Sequence, residues 1–550
     1  MNIRVYVIIV FISFLALSSV NAQGRTMGLL LNEEDAFVGY TLFAPMSYNV
    51  TYLIDNNGLL VHSWQSLYGP KSDIYLLENG SLLRTTRGSI VQEIDWDGFI
   101  VWEFDYSSIH HYLHHDIEYL PNGNVLMIAA EFKTREEAIG AGRSPYLIYG
   151  DTLQPDYIVE VEPDGQYGGN IVWEWHIWDH LVQDFDSTKA NYGVVAEHPE
   201  LMDINFLYFI AQDWNHTNSV QYNPELDQVV LSLHQQNELI VIDHSTTTEE
   251  AAGHSGGNYG KGGDFLYRWG NPLSYRAGTE EDRKFFNQHD ARWIEPGYPG
   301  EGNLMVFNNG QFRPEGSYST IDEIVPPVDS AGNYILNPGS AHEPEEQVWT
   351  YTAENPFNLY SPNISGAHRL PNGNTLICSG LHGMFYEVTP GGEVVWQYIN
   401  PVSAYGPMNQ GDAPFANSVF RIHRYAPDYP GLVGRDLTPG DPIEIYRNEY
   451  LPGDVNMYNG AWPPSVIGGD VTYLVNYFRS LPSSQACLLD GFWCSADANG
   501  DCDIIGSDVT RLVTYFRGTT TLAYCPDYEP AWSTPDDLPE EAPIVWPNCE

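Results

Sequence analysis

The chain has 550 residues, enough for one large domain and a smaller one, and 24 basic residues face 72 acidic ones for a formal charge of −48. A surface of that sign repels phosphate backbones and anionic bilayers, so nucleic acid and anionic membranes are excluded as partners. The acidic residues are spread through turns, and 15 Trp and 37 Tyr favour sheet.

Met1–Arg4 is a short basic head, Val5–Ser19 an apolar run, and Val20-Asn21-Ala22 ends it like a signal-peptidase site before Gln23. Residues 1–22 are therefore read as a cleaved secretory signal, with an uncleaved anchor as the alternative. The mature chain is expected to be secreted, periplasmic or at the cell surface. No later stretch is apolar enough to span a bilayer.

From about residue 23 to 450 one pattern recurs six times. Its second half is a hairpin ending in Trp, with alternating apolar residues around Asp-Gly or Gly-Gly turns. The copies are Tyr52–Trp64, Val91–Trp102, Ile158–Trp173, Leu239–Trp269, Tyr318–Trp349 and Phe385–Trp396, the fourth and fifth with insertions. The first half is strand, turn, strand: Ile74–Leu83, Ile117–Met127, Val220–Leu231, Ala291–Phe307, His368–Ile377 and a weaker Val419–Leu432. Four short strands per unit, six times over, predict an all-β, six-bladed β-propeller. Irregular unit lengths argue against a β-helix. The half-unit offset at the two ends predicts closure by N-terminal strands near Gly39–Tyr48.

After residue 450 the pattern changes. Gly468–Ser480 and Gly506–Gly518 are near-copies with helical spacing, each behind an acidic loop. In the second loop Asp497, Asn499, Asp501 and Asp503 alternate, and Asp508 stands at position twelve, a pattern that suits Ca²⁺. The first loop offers Asp454, Asn456 and Asp470 around an insertion through Trp462-Pro463-Pro464. Residues 451–527 are thus read as a small α-helical, EF-hand-like calcium module, and 528–550 as an irregular tail. The segment resembles dockerin modules, which implies a cohesin-like protein partner; Cys502 stands where that pattern has Gly. Cys487, Cys494, Cys502, Cys525 and Cys549 cluster here and fit disulfides of an oxidising compartment, while Cys378 stands alone upstream.

The chemistry is expected at the mouth of the propeller channel, where each inner strand begins. Six residues before the turn proline lie His115, Asn218 and Ser365; seven before it lies His289. His216, two residues ahead of Asn218, would share its side of an extended strand. His115, His216, Asn218 and His289 can therefore converge, with Asp116 and Asp290 beside them to orient the rings. A histidine cluster could also be a metal site, but the spacing has no short His-x-His pair.

The propeller resembles the arylsulfotransferase family that uses an aryl sulfate donor instead of a nucleotide donor. The resemblance spans roughly residues 35–440 and rests on His114-His115-Asp116 before LPNGN, on DWNHTNSV (Asp213–Val220), on Gln288-His289-Asp290 and on SGAHRLPNGNTLI; YRWGNP (Tyr267–Pro272) and FRIHRY (Phe420–Tyr425) add to it. It implies ping-pong transfer through a sulfohistidine to a phenolic acceptor, with no cofactor for catalysis. His289 would be the nucleophile. His216 and Asn218 would bind sulfuryl oxygens. His115 would do the same or act as acid or base, with His114 as a substitute. The family pattern has an Arg eighteen residues after His216, and here that position is His234, which supplies fewer donors. That departure favours the competing reading, a non-catalytic propeller binding module docked through its C-terminal segment onto an extracellular or cell-surface assembly. A quinoprotein-type propeller is set aside, since Trp at blade ends packs and no cofactor ligand set is present.

Overall fold

The computed structural model describes residues 25–206, 211–445, 451, 453–455, 466–479, 495–496, 498–499, 501 and 505–523. The secretory-signal reading, Asp497, Asn456, Asp503, the five late cysteines and the tail after 527 lie outside the described residues. The chain divides into two compact units, one over Thr26–Tyr446 and one holding the remainder. Among the described residues no helix is long and apolar enough to cross a membrane.

The larger unit is a six-bladed propeller. Blade 1 is Pro70–Leu76, Leu82–Thr86, Ile90–Ile94 and Ile100–Asp105, antiparallel from inside to outside. Blades 2, 3 and 4 follow, with inner strands His111–Tyr119, Thr217–Asn223 and His289–Trp293. Blade 5 begins with Gly366–Arg369 and carries a fifth, outer strand, Gly28–Asn32, which the sequence pattern did not announce. Blade 6 joins the two ends of the unit: Val419–Tyr425 is innermost, and Tyr40–Pro45, Val50–Ile54 and Leu60–Gln65 complete it. The expected closure is thus present. The sixth half-unit contains only one strand, because Pro427 and Pro430 cannot donate to a ladder and the chain makes a 3₁₀ turn at Pro430–Leu432.

Strand alternation sends side chains to both faces of every blade, so six apolar clusters form, one between each neighbouring pair. Leu82 packs toward blade 6 with Leu42 and Trp64, whereas adjacent Leu83 packs toward blade 2 with Val125 and Met127. Burying each such side chain stabilises by about 1.5–3 kcal/mol. The recurrent tryptophans add a second belt. Each donates its indole N–H to an outer turn or loop of the next blade: Trp64 to the Asp95 carbonyl, Trp102 to Gly168, Trp173 to the Thr246 hydroxyl, Trp269 to Pro344, Trp349 to Pro390 and Trp396 to Asn56, at 2.7–3.2 Å. Their role is inter-blade packing and hydrogen bonding.

In the smaller unit two helices, Gly468–Phe478 and Gly506–Phe516, contribute Leu474 and Leu512 to a core with Val455, Ala496 and Ala498. Asp508 accepts from the Ile505 amide at 2.8 Å and from the Asn499 side chain at 2.8 Å. Asp470 accepts from the Ile467 amide at 2.6 Å. Asp454, Asp470 and Asp508 are buried, and Asp501 lies on the second loop.

Candidate active site

Five inner strands open with an irregularity near the same place, and three of them carry the candidate site residues. The ladder slips opposite His114–Asp116 in blade 2, at Asn218 in blade 3 and at Asp290–Ala291 in blade 4. His115 (φ 59°), His216 (φ 51°) and Asp290 (φ 57°) adopt left-handed backbone there, a conformation that costs a non-glycine residue about 1–3 kcal/mol and clusters at functional sites. The bulges turn histidines inward. His115 and His216 rings stand 4.4 Å apart between centroids, His216 and His234 4.9 Å, His234 and His289 5.3 Å, and His289 and His115 6.5 Å. The four rings close a quartet, with Phe420 6.0 Å from His115.

Hydrogen bonds assign the tautomers. The Asn309 amide group donates to the Ser361 and Ile364 carbonyls, which fixes its oxygen toward His289. His289 Nδ1–H donates to that oxygen at 2.8 Å, leaving Nε2 with the lone pair. Burial lowers the His289 pKa to about 3, so the ring is neutral at any physiological pH. His216 is the opposite case. Burial disfavours its charge, but the 2.5 Å bond from Nδ1 to Asp213 and that carboxylate's field raise its pKa. Below that raised pKa His216 carries the positive charge of the quartet, with Nε2–H as donor. Burial, then the neighbouring rings, push His115 and His234 well below the usual histidine range. His234 Nδ1 accepts from the Asn287 amide at 3.4 Å, which leaves a neutral Nε2–H donor where the family pattern has a guanidinium. His114 lies behind the quartet, its Nδ1 2.7 Å from His115 Nδ1 and its Nε2 3.1 Å from Asp156.

Two sequence-based expectations change. Asn218 is the extra residue of its bulge and His216 is not extended, so their side chains part: Asn218 donates to the Gln288 carbonyl at 2.7 Å, holding the residue before His289. Asp116 and Asp290 do not orient the rings. Their carboxylates bond the Val220 and Ala367 amides of the next blades and surround Arg421. Gly366 permits this, because a Cβ there would stand 2.3 Å from Asp290 Oδ2. Arg421, fully buried, meets Asp116 at 2.6 Å, Asp73 at 2.9 Å and Asp290 at 3.3 Å, and donates to the Asn218 carbonyl at 2.6 Å. Burial opposes ionisation of Asp73, but His423 and Arg421 hold its carboxyl far below the usual range; burial raises that of Asp116. Further along the same strands Tyr75, Glu118, Arg292, His368 and His423 line a cavity of about 530 Å³. Arg292 bonds Asp290 there at 2.9 Å, and Arg369 pairs with Glu323; neither replaces the missing guanidinium.

Sequence reasoning missed Asp213, Asn309, Asn287, Asp156 and Arg421. Asp213 had a usable signal three residues before His216, and Arg421 sits in the FRIHRY segment. The asparagines come from strand ends and loops that no local pattern ties to the rings.

A six-bladed propeller with a neutral, oriented imidazole among N–H donors defines a protein equipped for transfer of an anionic group. The arylsulfotransferase (ASST) family model matches residues 40–403, more than half of the chain, and the chain belongs to that family. No curated protein matches it. Similar solved structures include a protein of unknown function from Bacteroides caccae (12% identity, TM-score 0.38, covering 70% of this chain and 98% of that one). A streptogramin B lyase (10%, 0.33, 74% and 95%) and a catalytically inactive virginiamycin B lyase from Staphylococcus aureus (9%, 0.33, 70% and 88%) are also similar. Those values are too low to carry an argument about fold or function.

Proposed function

We propose that the protein is a secreted aryl-sulfate sulfotransferase working by ping-pong transfer through a sulfohistidine at His289. The observation that carries this is the His289 ring, neutral by burial and oriented by Asn309 so that Nε2 presents its lone pair among the other rings. In the first half-reaction that lone pair forms the N–S bond as the aryl S–O bond breaks, and the leaving phenolate takes a proton from His115 Nε2 while His114 Nδ1 passes one to His115 Nδ1, so the His115 ring stays neutral. The sulfuryl oxygens accept from the cationic His216 and from His234. In the second half-reaction a phenol gives its proton to His115 Nε2 while its oxygen attacks sulfur, and the N–S bond electrons return to His289. The proton yielded in the first half is thus recovered in the second. The His115–His114–Asp156 chain supports this exchange, because a proton received at His115 Nε2 can release one across the Nδ1···Nδ1 contact to His114, beside the Asp156 carboxylate. Asn218 positions the His289 strand.

Incubation with 4-nitrophenyl sulfate alone is expected to release a burst of 4-nitrophenol and to leave a sulfuryl adduct on His289 by mass spectrometry. Turnover without any adduct would point to direct transfer. No turnover on any aryl sulfate, with an intact fold, would favour the binding-module reading.

In the smaller unit Asp454 and Asp470 belong to the first loop and its helix start and Asp508, with Asn499 beside it, to the second, all three carboxylates are buried, and oxygen donors of this kind suit a hard cation, so calcium is the ion proposed for each loop. Bound, it would cross-link loops to helix starts and ready the unit for a cohesin-like partner. Circular dichroism or amide spectra should change between chelator and millimolar Ca²⁺; unchanged spectra would rule the ion out.

A further inference from the structure

Among the described residues, one group of three metal-ligating side chains brings its ligand atoms within 4.8 Å of one another: His180, His254 and Asp264. It stands apart from the histidine quartet. His180 follows the outer strand of blade 2, Gly169–His176, after one 3₁₀ turn. His254 and Asp264 belong to the insertion between the third and fourth strands of blade 3, Glu238–Asp243 and Tyr267–Trp269. The group therefore ties a loop of one blade to the edge of another.

The His180 ring is locked. It is fully buried, Trp175 stacks on it at 5.6 Å and 6°, and Gly263 passes so close that a Cβ there would stand 2.6 Å from Nε2. Its Nε2 is 2.8 Å from the Ala251 carbonyl. A carbonyl only accepts, so Nε2 carries the proton and Nδ1 of the neutral ring keeps a lone pair. That lone pair points at Asp264 Oδ1, another acceptor, 2.8 Å away. The contact needs something between the two acceptors: a further proton, on the ring or on the carboxyl, or a metal ion. His254, 62% exposed, brings its own Nδ1 to 2.8 Å from the same oxygen. The Nε2–H to backbone carbonyl bond of His180 is also the arrangement that orients histidines bound to metal.

We infer that His180 Nδ1, His254 Nδ1 and an Asp264 carboxylate oxygen form a binding site for a first-row divalent cation, with Zn²⁺ the best match. Two imidazoles and one carboxylate suit that ion, and three protein ligands leave a fourth position, as in sites that keep one place for water or a ligand. A cavity of about 650 Å³, lined also by His198 and Glu200, opens beside His254 and Asp264 and would receive that position. Around a tetrahedral ion with bonds of about 2.0–2.1 Å the ligand atoms stand roughly 3.3 Å apart, so both 2.8 Å contacts of Asp264 open by about half an ångström on loading, the carboxylate drawing back from the locked His180 and the exposed His254 ring adjusting with it.

The test uses the full-length protein, stripped with chelator, returned to excess Ca²⁺ to occupy oxygen sites, and titrated with Co²⁺ and then Zn²⁺. One Co²⁺ per chain is expected to give the intense visible bands of a four- or five-coordinate ion, and Zn²⁺ should displace it. Losing an outer-shell partner alone costs about 10–100-fold in affinity, so His254→Ala, which removes a ligand from an exposed position, should cost at least about 100-fold. Asp264→Asn should do the same, and His254→Ala should leave aryl sulfate turnover unchanged. Absence of the bands would mean that a proton alone bridges His180 and Asp264, and unchanged affinity in His254→Ala would place the ion elsewhere; either result overturns the assignment.

Discussion

Replacing His289 by Ala should lower aryl sulfate turnover by about 10⁴-fold or more, with no sulfuryl adduct. Removing a nucleophile takes away the group whose bond to the substrate splits one hard step into two, and four decades correspond to about 5.5 kcal/mol of lost transition-state stabilisation. The fold should survive. The side chain makes its described hydrogen bond to Asn309, and leaving that oxygen unsatisfied costs about 1–3 kcal/mol. Circular dichroism on the same preparation checks this; a loss below tenfold with an intact fold would remove His289 from the chemistry. The pH profile of wild type supplies an independent check. His216 is the cationic donor below its raised pKa, so the rate should decline as pH rises through that value. Asp213→Asn removes the carboxylate that sustains the charge, and the decline should then begin at lower pH.

The second large effect is on stability. Arg421→Met should destabilise the propeller by about 3–5 kcal/mol, the cost of breaking a buried ion pair by removing one partner. Asp73, Asp116 and Asp290, each buried, would lose the guanidinium they share. The Asp116 carboxyl, already raised by burial against the pull of Arg421, would rise further above that of the unfolded chain. A carboxyl so raised is destabilising where it must ionise and harmless where it is protonated in both states. The gap to wild type in urea unfolding should therefore be wide at pH 7.5 and narrower at pH 5. An equal gap at both would show that lost packing, not uncompensated charge, is responsible.

Much of the propeller is legible in the chain because each blade repeats a local rule: alternating apolar strands, a glycine turn and a tryptophan whose indole reaches the next blade. The seam is legible too, as an unmatched half-unit at each end. Gly28–Asn32 is not, since an edge strand in blade 5 depends on a pairing across almost the whole length of the repeat. The histidines could be found because three of them occupy equivalent starts of inner strands. Their tautomers could not, because these are set by groups distant in sequence or hidden in loops: Asn309 for His289 and Asn287 for His234. Asp116 and Asp290 mislead for the same reason. Adjacent to the rings in sequence, they turn instead to a guanidinium at the far end of the repeat.

The position of that guanidinium has a consequence for the order of events during synthesis. Val419–Tyr425, which carries Arg421 and His423, is the last strand of the propeller to be made, whereas Asp73, Asp116 and Asp290 have been made long before. A nascent chain shorter than this strand lacks the inner wall of blade 6 and, among the described residues, the one guanidinium that meets all three acids, with only Arg292 near Asp290 and Asp73. The insertion that closes the circle is therefore also the one that completes the pairing of charges at its centre.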